Sequence, residues 1–586
     1  MAPSAANRFL KNEDLLYCLG KQINNRKLLL DLCLVSKYCN EVFSVFLYKE
    51  LWFSETNHRW LFQENGLDSL LANERLKHVR TLSFAVYADV DLKREDLIIR
   101  RDMRESICLS AKYQTAGACL AFNEGVMKLL GKIPRLESFS WLGYPLFTTT
   151  LSTLHQECPA LKELTIIYPS NLDLRLGRKV TIGRRRTIPI PQISEWEPLR
   201  QRWETPNLPP FRNLNRLHIH NMWGRQLNQW REMITVILVN SPGLSDLGLS
   251  LSNSTRHRDM DIEWHGNREA LHPAYFLREL CGAYTRVGGK PLALQSLHLG
   301  HFMFLLRWGS SSGTFRPAFP EEQENGGFLD DLTNLSQLQD LSLDLAGDRG
   351  FGDNQEWWQT APGPLPKLEK LSIRKPTTWL ARWAKALVQG GTTLRQLKVY
   401  QDSERPDYTL QPSQLATSWS DLLECRPQEL LLQGNLSAVI HLDHVMAAGD
   451  SIRLLAMNSD LFRNNVEYLA SRMPNLEGIW VMEPYFFYAI RLGNASSIQA
   501  QKNSWGLTVQ QVARVCRRLK FFRFGSVTWR IERTVTGFRL RELDRMENEG
   551  PEIPELFQIS LPYTFDTAHA AKYWVNDRCR DDDEML

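Results

Sequence analysis

A short pattern, L-x-x-L-x-L, recurs along this 586-residue chain and constrains the fold more than any other feature. Alternating apolar and polar residues at the end of each copy predict a short β-strand. Adjacent copies lie about 24 to 33 residues apart. Eight good copies end at Ile166, Ile219, Leu249, Leu299, Leu343, Ile373, Val399 and Val481, and five weaker ones start at Leu76, Ile133, Arg426, Ser451 and Arg517.

Segments with a helical pattern lie between these motifs. "TTWLARWAKALVQGG" places Leu380, Ala384 and Leu387 on one helix face, and Gly390 is suited to end the helix. Strand, turn and helix repeated at this period are typical of the leucine-rich repeat. The sequence therefore predicts an α/β solenoid over residues 54–540, with short parallel strands on a concave face and helices outside. The alternative is an ordinary α/β protein with several leucine-containing strands.

Composition excludes several other classes of protein. Hydrophobic residues make up 43% of the chain and charged residues 23%, which is ordinary for a folded globular protein. The net charge of +4 argues against a dedicated nucleic-acid binder. No apolar run reaches the roughly 20 residues of a membrane span, and the N-terminus does not read as a signal peptide. The ten cysteines form no CxxC pair, so we expect neither a zinc site nor disulfides, and a cytoplasmic and/or nuclear location.

Residues 1–53 differ from the rest of the chain. Leu16, Leu19 and Ile23 recur at helical spacing, and Leu28, Leu32 and Val35 follow in the same way. Short helices over so few residues cannot bury this much apolar surface by themselves. Part of the surface must be covered by a partner or by the first repeats.

This segment resembles an F-box, the motif through which substrate receptors dock onto the Skp-type adaptor of SCF ubiquitin ligases. The resemblance is carried by the aliphatic pair Leu15–Leu16, by "LCLVSK" at Leu32–Lys37 and by Leu47–Tyr48. Two prolines of the family pattern are replaced, by Lys11 and by Val45. An F-box followed by leucine-rich repeats is a known arrangement, and fungal members with divergent repeats look most similar.

The resemblance implies a substrate-recognition subunit of an SCF-type ubiquitin ligase that is not itself an enzyme. It implies a cullin partner bound through the adaptor, and an unknown target protein. The alternative is a repeat scaffold without a link to ubiquitin, whose N-terminal helices only cap the solenoid. The expected adaptor-binding residues are Leu15, Leu16, Leu19, Leu28, Leu32 and Val35.

Target recognition is expected on the concave strand face, because side chains between the core leucines must alternate outward. These outward positions form a mixed basic and aromatic set that would suit an acidic or phosphorylated segment. The alternative is that they are simply soluble strand-face residues. The set is His218, His220, His298, Arg374, Lys398, Tyr400, Trp480 and Arg523.

No motif predicts catalysis, a metal or a cofactor. "GSSSG" at Gly309–Gly313 fits the spacing of a nucleophile elbow but is followed by a loop-like sequence where that elbow needs a helix. His441 and His444 have no apparent third ligand.

A basic, proline-rich insertion interrupts the repeats at about residues 168–210. Six basic residues fall between Arg175 and Arg186, and six prolines between Pro189 and Pro210. We interpret it as a solvated loop, with a nuclear-import signal or an acidic-partner patch as the alternative. Residues 541–586 form a C-terminal segment that ends in the acidic tail "RDDDEML".

Overall fold

The computed structural model divides the chain into two compact units, Met1–Lys290 with Asp566–Leu586, and Pro291–Phe565. The described residues are 12–23, 26–54, 66–85, 116–142, 146–168, 180–182, 186–188, 207–222, 227–251, 276–300, 328–344, 365–374, 378–400, 420–433, 445, 448–458, 462, 472–482, 495–524, 527–543, 553–554 and 556.

Helices lie before and between the strands of both units. In the first unit they are α1 Glu13–Gln22, α2 Arg26–Val35, α3 Lys37–Leu47, α4 Gly66–Leu71, α5 Ala116–Leu130, α6 Thr148–Glu157, α7 Leu227–Val239 and α8 Phe276–Arg286, with a 3₁₀ turn at Glu74–His78. In the second unit they include α9 Phe328–Leu332, α10 Thr378–Gln389 and α11 Ala495–Val515, with a 3₁₀ turn at Leu335–Gln337.

The first unit has six parallel strands that pair in chain order, and one separate hairpin. The parallel strands are β1 Glu50–Ser54, β2 Thr81–Ala85, β3 Ser138–Leu142, β4 Glu163–Ile167, β7 Arg216–Met222 and β8 Asp246–Leu251. The antiparallel hairpin is β5 Val180–Ile182 with β6 Arg186–Ile188.

The second unit has eight parallel strands in chain order, followed by two antiparallel ones. They are β9 Ser296–Leu299, β10 Asp340–Asp344, β11 Lys370–Arg374, β12 Gln396–Tyr400, β13 Glu429–Gln433, β14 Leu454–Asn458, β15 Gly478–Met482, β16 Phe521–Phe524, β17 Val527–Thr534 and β18 Gly537–Glu542.

All thirteen sequence motifs form strands, and the α/β class with mostly parallel strands is confirmed. The register aligns the same motif position from strand to strand, so the core residues stand in columns. One column of the second unit consists of Leu297, Leu341, Leu371, Leu397, Leu430, Leu455, Ile479 and Phe522. Every member is buried, because each strand covers the leucine of the next.

Helices pack on the face of the strands that carries these columns. In the first unit, the Phe122 ring of α5 meets the Phe84 ring of β2 edge-on at 5.5 Å between centroids. In the second unit, Trp505 of α11 stacks on Phe524 of β16 at 4.1 Å. We call this the helix-covered face, and the opposite side of the strands the second face.

The helix predicted from "TTWLARWAKALVQGG" is present as α10. It buries Leu380 and Ala384 and half-buries Leu387. The helix ends at Gln389, one residue before the predicted stop at Gly390. The left-handed residue that turns the chain is Gly391, with φ of 99°, a conformation that glycine adopts without strain.

Three strand features depart from the sequence prediction. Strand β1 was not predicted, because Leu47 and Leu51 are four residues apart and the first two leucines of the L-x-x-L-x-L motif are three residues apart. Within the basic insertion, β5 and β6 form a hairpin where a loop was expected; of the rest of the insertion, only Tyr168 and residues 207–210 are described. The final strands β17 and β18 are antiparallel, because only two residues connect them.

No helix within the described ranges is both long enough and apolar enough to cross a membrane.

Replacing one column leucine should weaken the second unit strongly. Leu397 is fully buried between its neighbours Leu371 and Leu430. Leu397→Ala removes their contacts and leaves a cavity, so we expect the free energy of unfolding to fall by about 2–5 kcal/mol in chemical denaturation followed by tryptophan fluorescence. Leu507→Ala, at a position 65% exposed in α11, is the control and should change it by less than about 0.5 kcal/mol.

Candidate protein-interaction surfaces

Helices α1 to α3 build a small core of their own. Asn12 caps α1 by accepting the Leu15 N–H (3.1 Å), and Ser36 caps α3 by accepting the Cys39 N–H (3.1 Å). A Cβ at Gly20 would lie 2.4 Å from the Phe46 ring, so glycine lets α1 approach α3 closely. The buried members of this core are Leu16, Leu29, Cys33, Cys39, Val42 and Phe43.

The predicted adaptor-binding residues divide into three groups by burial. Leu15, Leu28 and Val35 are exposed, at 46%, 46% and 59%. Leu19 and Leu32 are partly buried against the helical core. Leu16 is 1% exposed and belongs to that core, so its expected place on the docking surface is wrong. Its side chain holds α1 against the other helices instead.

The outward side of α2 is mostly apolar, and Asp31 is the exposed charged residue among its described side chains. Leu34 is 78% exposed, and Leu30 and Tyr17 are also exposed, although the sequence prediction included none of them. Half of the exposed large hydrophobic side chains in the described part of the chain lie between residues 15 and 35. We call this set the helical apolar surface; it consists of Leu15, Tyr17, Leu28, Leu30, Leu34 and Val35. Such a concentration is typical of an interaction site.

In the first unit, the predicted target-binding histidines lie on the second face of β7, but both are buried. The His218 Nε2 atom lies 2.7 Å from the Asp246 carboxylate, to which Arg216 also donates at 2.6 Å. The His220 Nδ1 atom lies 3.1 Å from the Ser250 hydroxyl. The two histidines are part of a polar network within this unit, and their expected exposure is wrong.

In the second unit, the predicted residues alternate with the column residues as expected, but half of them are buried. Arg374 and Tyr400 are paired in register on β11 and β12, and both are buried. Arg523 is 3% exposed, and its guanidinium lies 5.0 Å from the centroid of the Trp480 ring. His298, Lys398 and Trp480 are partly exposed. Burial, with the Asp340 carboxylate nearby, raises the pKa of Tyr400 well above its usual range.

Tyr400 is buried in an apolar cluster on the second face of β12 to β16. Strand residues contribute Tyr400, Leu431, Ala456 and Phe521, and partly buried Trp480 packs against them. Three residues from beyond the last strand complete it, namely Leu543, Ile553 and Leu556. We call these seven buried residues the second-face cluster. The sequence feature that could have predicted this cluster is Leu431 in "RPQELLL", because an apolar residue stands at a position where alternation predicts an outward-facing side chain.

A second set of residues missed by the sequence prediction stands just before the strands. The positions before β3, β11 and β15 are Glu137, Glu369 and Glu477, and their neighbours carry the opposite charge. Glu137 pairs with Arg80 and Lys162 (2.9 and 3.6 Å), Glu369 with Arg395 (4.0 Å), and Glu477 with Arg453 and Lys520 (2.5 and 2.8 Å). The sequence feature that could have predicted these ion pairs is the alternating sign of the charge at the first x of successive L-x-x-L motifs.

Glu477 is the best-buried acid of these pairs. Partial burial works to raise its pKa, but the hydrogen bonds from Lys520 and Arg453 outweigh that effect, so the pKa lies below the usual carboxyl value. The Glu477 side chain is 19% exposed, against 53% for that of Arg453 and 63% for that of Lys520. Ion pairs with such exposed partners contribute at most about 1 kcal/mol each.

Comparisons with known proteins leave the family open. No model of a protein family matches the sequence, and no curated protein matches it. Among solved structures, the chain is similar to a chain in the crystal structure of the Rad7 and Elc1 complex in yeast. The identity is 14% and the TM-score 0.34, over 80% of this chain and 88% of that chain. A TM-score this low carries no argument about function.

Glu477→Gln should change the pH dependence of stability. Because the folded pKa is lowered, the carboxylate stabilises the fold above the ordinary carboxyl pKa, and this contribution is lost as the pH falls through the lowered value. At pH 7 we expect the substitution to reduce the free energy of unfolding by up to about 1 kcal/mol, measured by denaturant titration.

The difference between Glu477→Gln and the wild type should vanish at a pH below the folded pKa. Glu124→Gln, at an exposed position in α5, is the matched control and should change the free energy of unfolding at pH 7 by less than about 0.5 kcal/mol. An equal loss of stability for Glu477→Gln at acid and neutral pH would contradict the ion-pair interpretation.

Proposed function

We propose that the protein is the substrate-recognition subunit of an SCF-type ubiquitin ligase, acting in the cytoplasm and/or nucleus and not itself an enzyme. Helices α1 and α2 bind a Skp-type adaptor, and through it a cullin, while the strands bind a target protein. The observation that carries the proposal is the helical apolar surface, which lies beside a folded core that leaves it uncovered.

The helical apolar surface is large enough in energetic terms to support adaptor binding. Fully burying one leucine-sized side chain is worth about 1.5–3 kcal/mol. Several such side chains can offset the cost of association, which is about 4–15 kcal/mol, and still leave micromolar or tighter affinity. Leu30 of this surface lies two residues before the "LCLVSK" stretch that carries the family resemblance, and Leu34 lies within that stretch.

The same proposal assigns the repeats to a leucine-rich-repeat solenoid. It is supported by the thirteen motif strands, which pair parallel and in chain order within each unit. Such an arrangement places the residues between the column leucines on one extended surface, which repeat proteins use to bind other proteins.

The alternative, a scaffold whose N-terminal helices only cap the solenoid, has one observation in its favour. Helix α3 contacts the start of the repeats, because Arg75 donates to the Asn40 side-chain oxygen (2.8 Å) and to the Tyr48 hydroxyl (3.4 Å). A cap accounts for this contact of α3. It does not account for the exposed leucines of α2, so adaptor docking explains more of the segment.

Leu34→Asp with Val35→Asp should abolish adaptor binding without unfolding the helices. Both side chains are exposed in the uncomplexed chain, at 78% and 59%, so their replacement leaves the helical core intact. The charges would be buried against the adaptor, and we expect at least about a 100-fold loss of affinity. Binding of a purified fungal Skp-type adaptor, measured by calorimetry, tests this expectation.

Val287→Asp is the matched control, since Val287 is also 59% exposed but lies after helix α8. It should bind the adaptor like the wild type, and all variants should keep the wild-type melting temperature. If the wild-type protein fails to bind the adaptor at micromolar concentrations, the ligase proposal is wrong and the scaffold alternative stands.

A further inference from the structure

The last strand of the second unit, β18, has an outer edge with which no other strand of the described residues pairs. Its inner edge pairs antiparallel with β17. The N–H of Leu543 donates to the Thr528 carbonyl at 2.9 Å, so the backbone groups of residue 543 point toward β17. Because this direction alternates along an antiparallel strand, Phe538, Leu540 and Glu542 point their N–H and C=O groups to the outer edge.

The strand that carries this edge is poorly covered. No residue of β18 is buried, and Gly537, Arg539 and Glu542 are exposed. Strand β17, on its inner side, buries Trp529 and Ile531. An exposed edge whose backbone groups point outward is a template for the addition of a further strand.

Basic side chains alternate with apolar ones along this edge. Arg539 and Arg541 lie on the second face, and Arg541 donates to Glu532 of β17 at 3.0 Å. Phe538 and Leu540 lie on the helix-covered face and are partly exposed. An added strand would therefore meet arginine side chains on one face and apolar side chains on the other.

The charge of the second face at this edge is positive. Arg530 of β17 stands opposite Arg541 in register, and Glu532 stands opposite Arg539. Three arginines thus share this part of the second face with one glutamate. Complementary charge selects among partners that could otherwise use the same backbone hydrogen bonds, so this edge favours an acidic segment.

A second copy of the chain does not suit the edge. Each antiparallel register of two copies that pairs at least two of the outward residues places Arg539 or Arg541 of one copy opposite Arg539 or Arg541 of the other. Like charges directly opposite each other are destabilising, and natural proteins use such charges to keep an edge from pairing with itself. A strand with acidic residues at these positions meets no such repulsion.

We propose that the outer edge of β18 binds an extended segment of a partner protein as an additional antiparallel strand. The partner segment alternates acidic with apolar side chains, so that the acidic ones stand opposite Arg539 and Arg541 and the apolar ones opposite Phe538 and Leu540. Backbone hydrogen bonds hold the segment, and the alternation selects it. This site uses no residue of the helical apolar surface and does not depend on the ligase proposal.

The first experiment measures binding of a fluorescent peptide, Ser-Lys-Glu-Val-Glu-Val-Thr, to the full chain by anisotropy. Its central valine is designed to stand opposite Leu540, and its two glutamates opposite Arg539 and Arg541. We expect a Kd of about 100 μM or tighter. A peptide with lysines in place of the two glutamates should bind at least about 5-fold more weakly, because it places like charges opposite each other.

A third peptide tests whether a strand forms. Proline in place of the central valine keeps both glutamates but removes an N–H that the added strand needs, so this peptide should not bind. Equal binding of the proline peptide would show attraction by charge alone and would overturn the proposal, as would the absence of binding by the first peptide.

Hydrogen exchange followed by mass spectrometry locates the bound peptide. In the uncomplexed chain, the outward amides within residues 537–542 should exchange rapidly, and the first peptide should slow them. Slow exchange of these amides without peptide would show that the edge is already covered. That result, or protection by the peptide only at other strands, would overturn the proposal.

Leu540→Pro removes one outward N–H while the hydrogen bonds of β18 to β17 are kept, so it should abolish peptide binding and leave the melting temperature close to that of the wild type. Where this variant does not fold, Arg539→Glu keeps the proposal testable. It should reverse the preference, with weaker binding of the glutamate peptide and tighter binding of the lysine peptide. Arg514→Glu, the same charge change at an exposed position of α11, is the matched control and should bind both peptides like the wild type. An Arg539→Glu variant with wild-type preference would contradict the assigned edge.

The outcome is separable from that of the ligase proposal. Adaptor binding depends on helices α1 and α2, whereas peptide binding depends on β18. If the protein binds the peptide but no adaptor, the edge site stands and the ligase proposal fails; if it binds the adaptor but no peptide, the ligase proposal stands and the edge site is wrong.

Discussion

The fold depends on one repeated arrangement of backbone hydrogen bonds at the start of each strand. The carbonyl oxygen before β11, that of Glu369, accepts the N–H groups of both Arg395 and Gln396, at 2.8 and 2.9 Å. The Glu477 carbonyl accepts in the same way from Lys520 and Phe521. Two donors on one acceptor fix the register between successive repeats. The register in turn stacks column residue on column residue, and it brings the charges before the strands into alternating pairs.

Because the register is set by local turns and by leucine spacing, the strands could be predicted from the sequence. Each L-x-x-L-x-L motif carries its own turn and its own buried face, and even the weak copies at Arg426 and Arg517 became strands. Strand β1 also has a buried face, and Phe53 stands in register with Phe84 of β2. The strand was not predicted because Leu47 and Leu51 are four residues apart, whereas the motif requires a spacing of three. The alternation of side chains was also predicted correctly, as the pairing of Trp480 with Arg523 shows.

Exposure could not be predicted from alternation, because it depends on what lies over a surface. Tyr400 faces away from the core column as expected, yet it is buried in a cluster that includes residues more than a hundred positions away in the sequence. The same limit applies to the N-terminal helices. With apolar residues on nearly every side of α2, periodicity does not tell which face is internal. Leu16 in the core and exposed Leu15 are adjacent residues of one aliphatic pair.

The second face of β12 to β16 and the helical apolar surface both carry apolar side chains. Other residues of the described chain cover the first, whereas the second is exposed. Without Ile553 and Leu556, the second face would present Leu431, Ala456 and Phe521 to water, an apolar patch that promotes non-specific association. The chain covers that patch with a segment of its own. Leu30 and Leu34 of α2, in contrast, have no such cover in the described residues and are 43% and 78% exposed. The strand surface is therefore completed by residues of the second unit itself, whereas the helical apolar surface keeps its apolar side chains exposed to water.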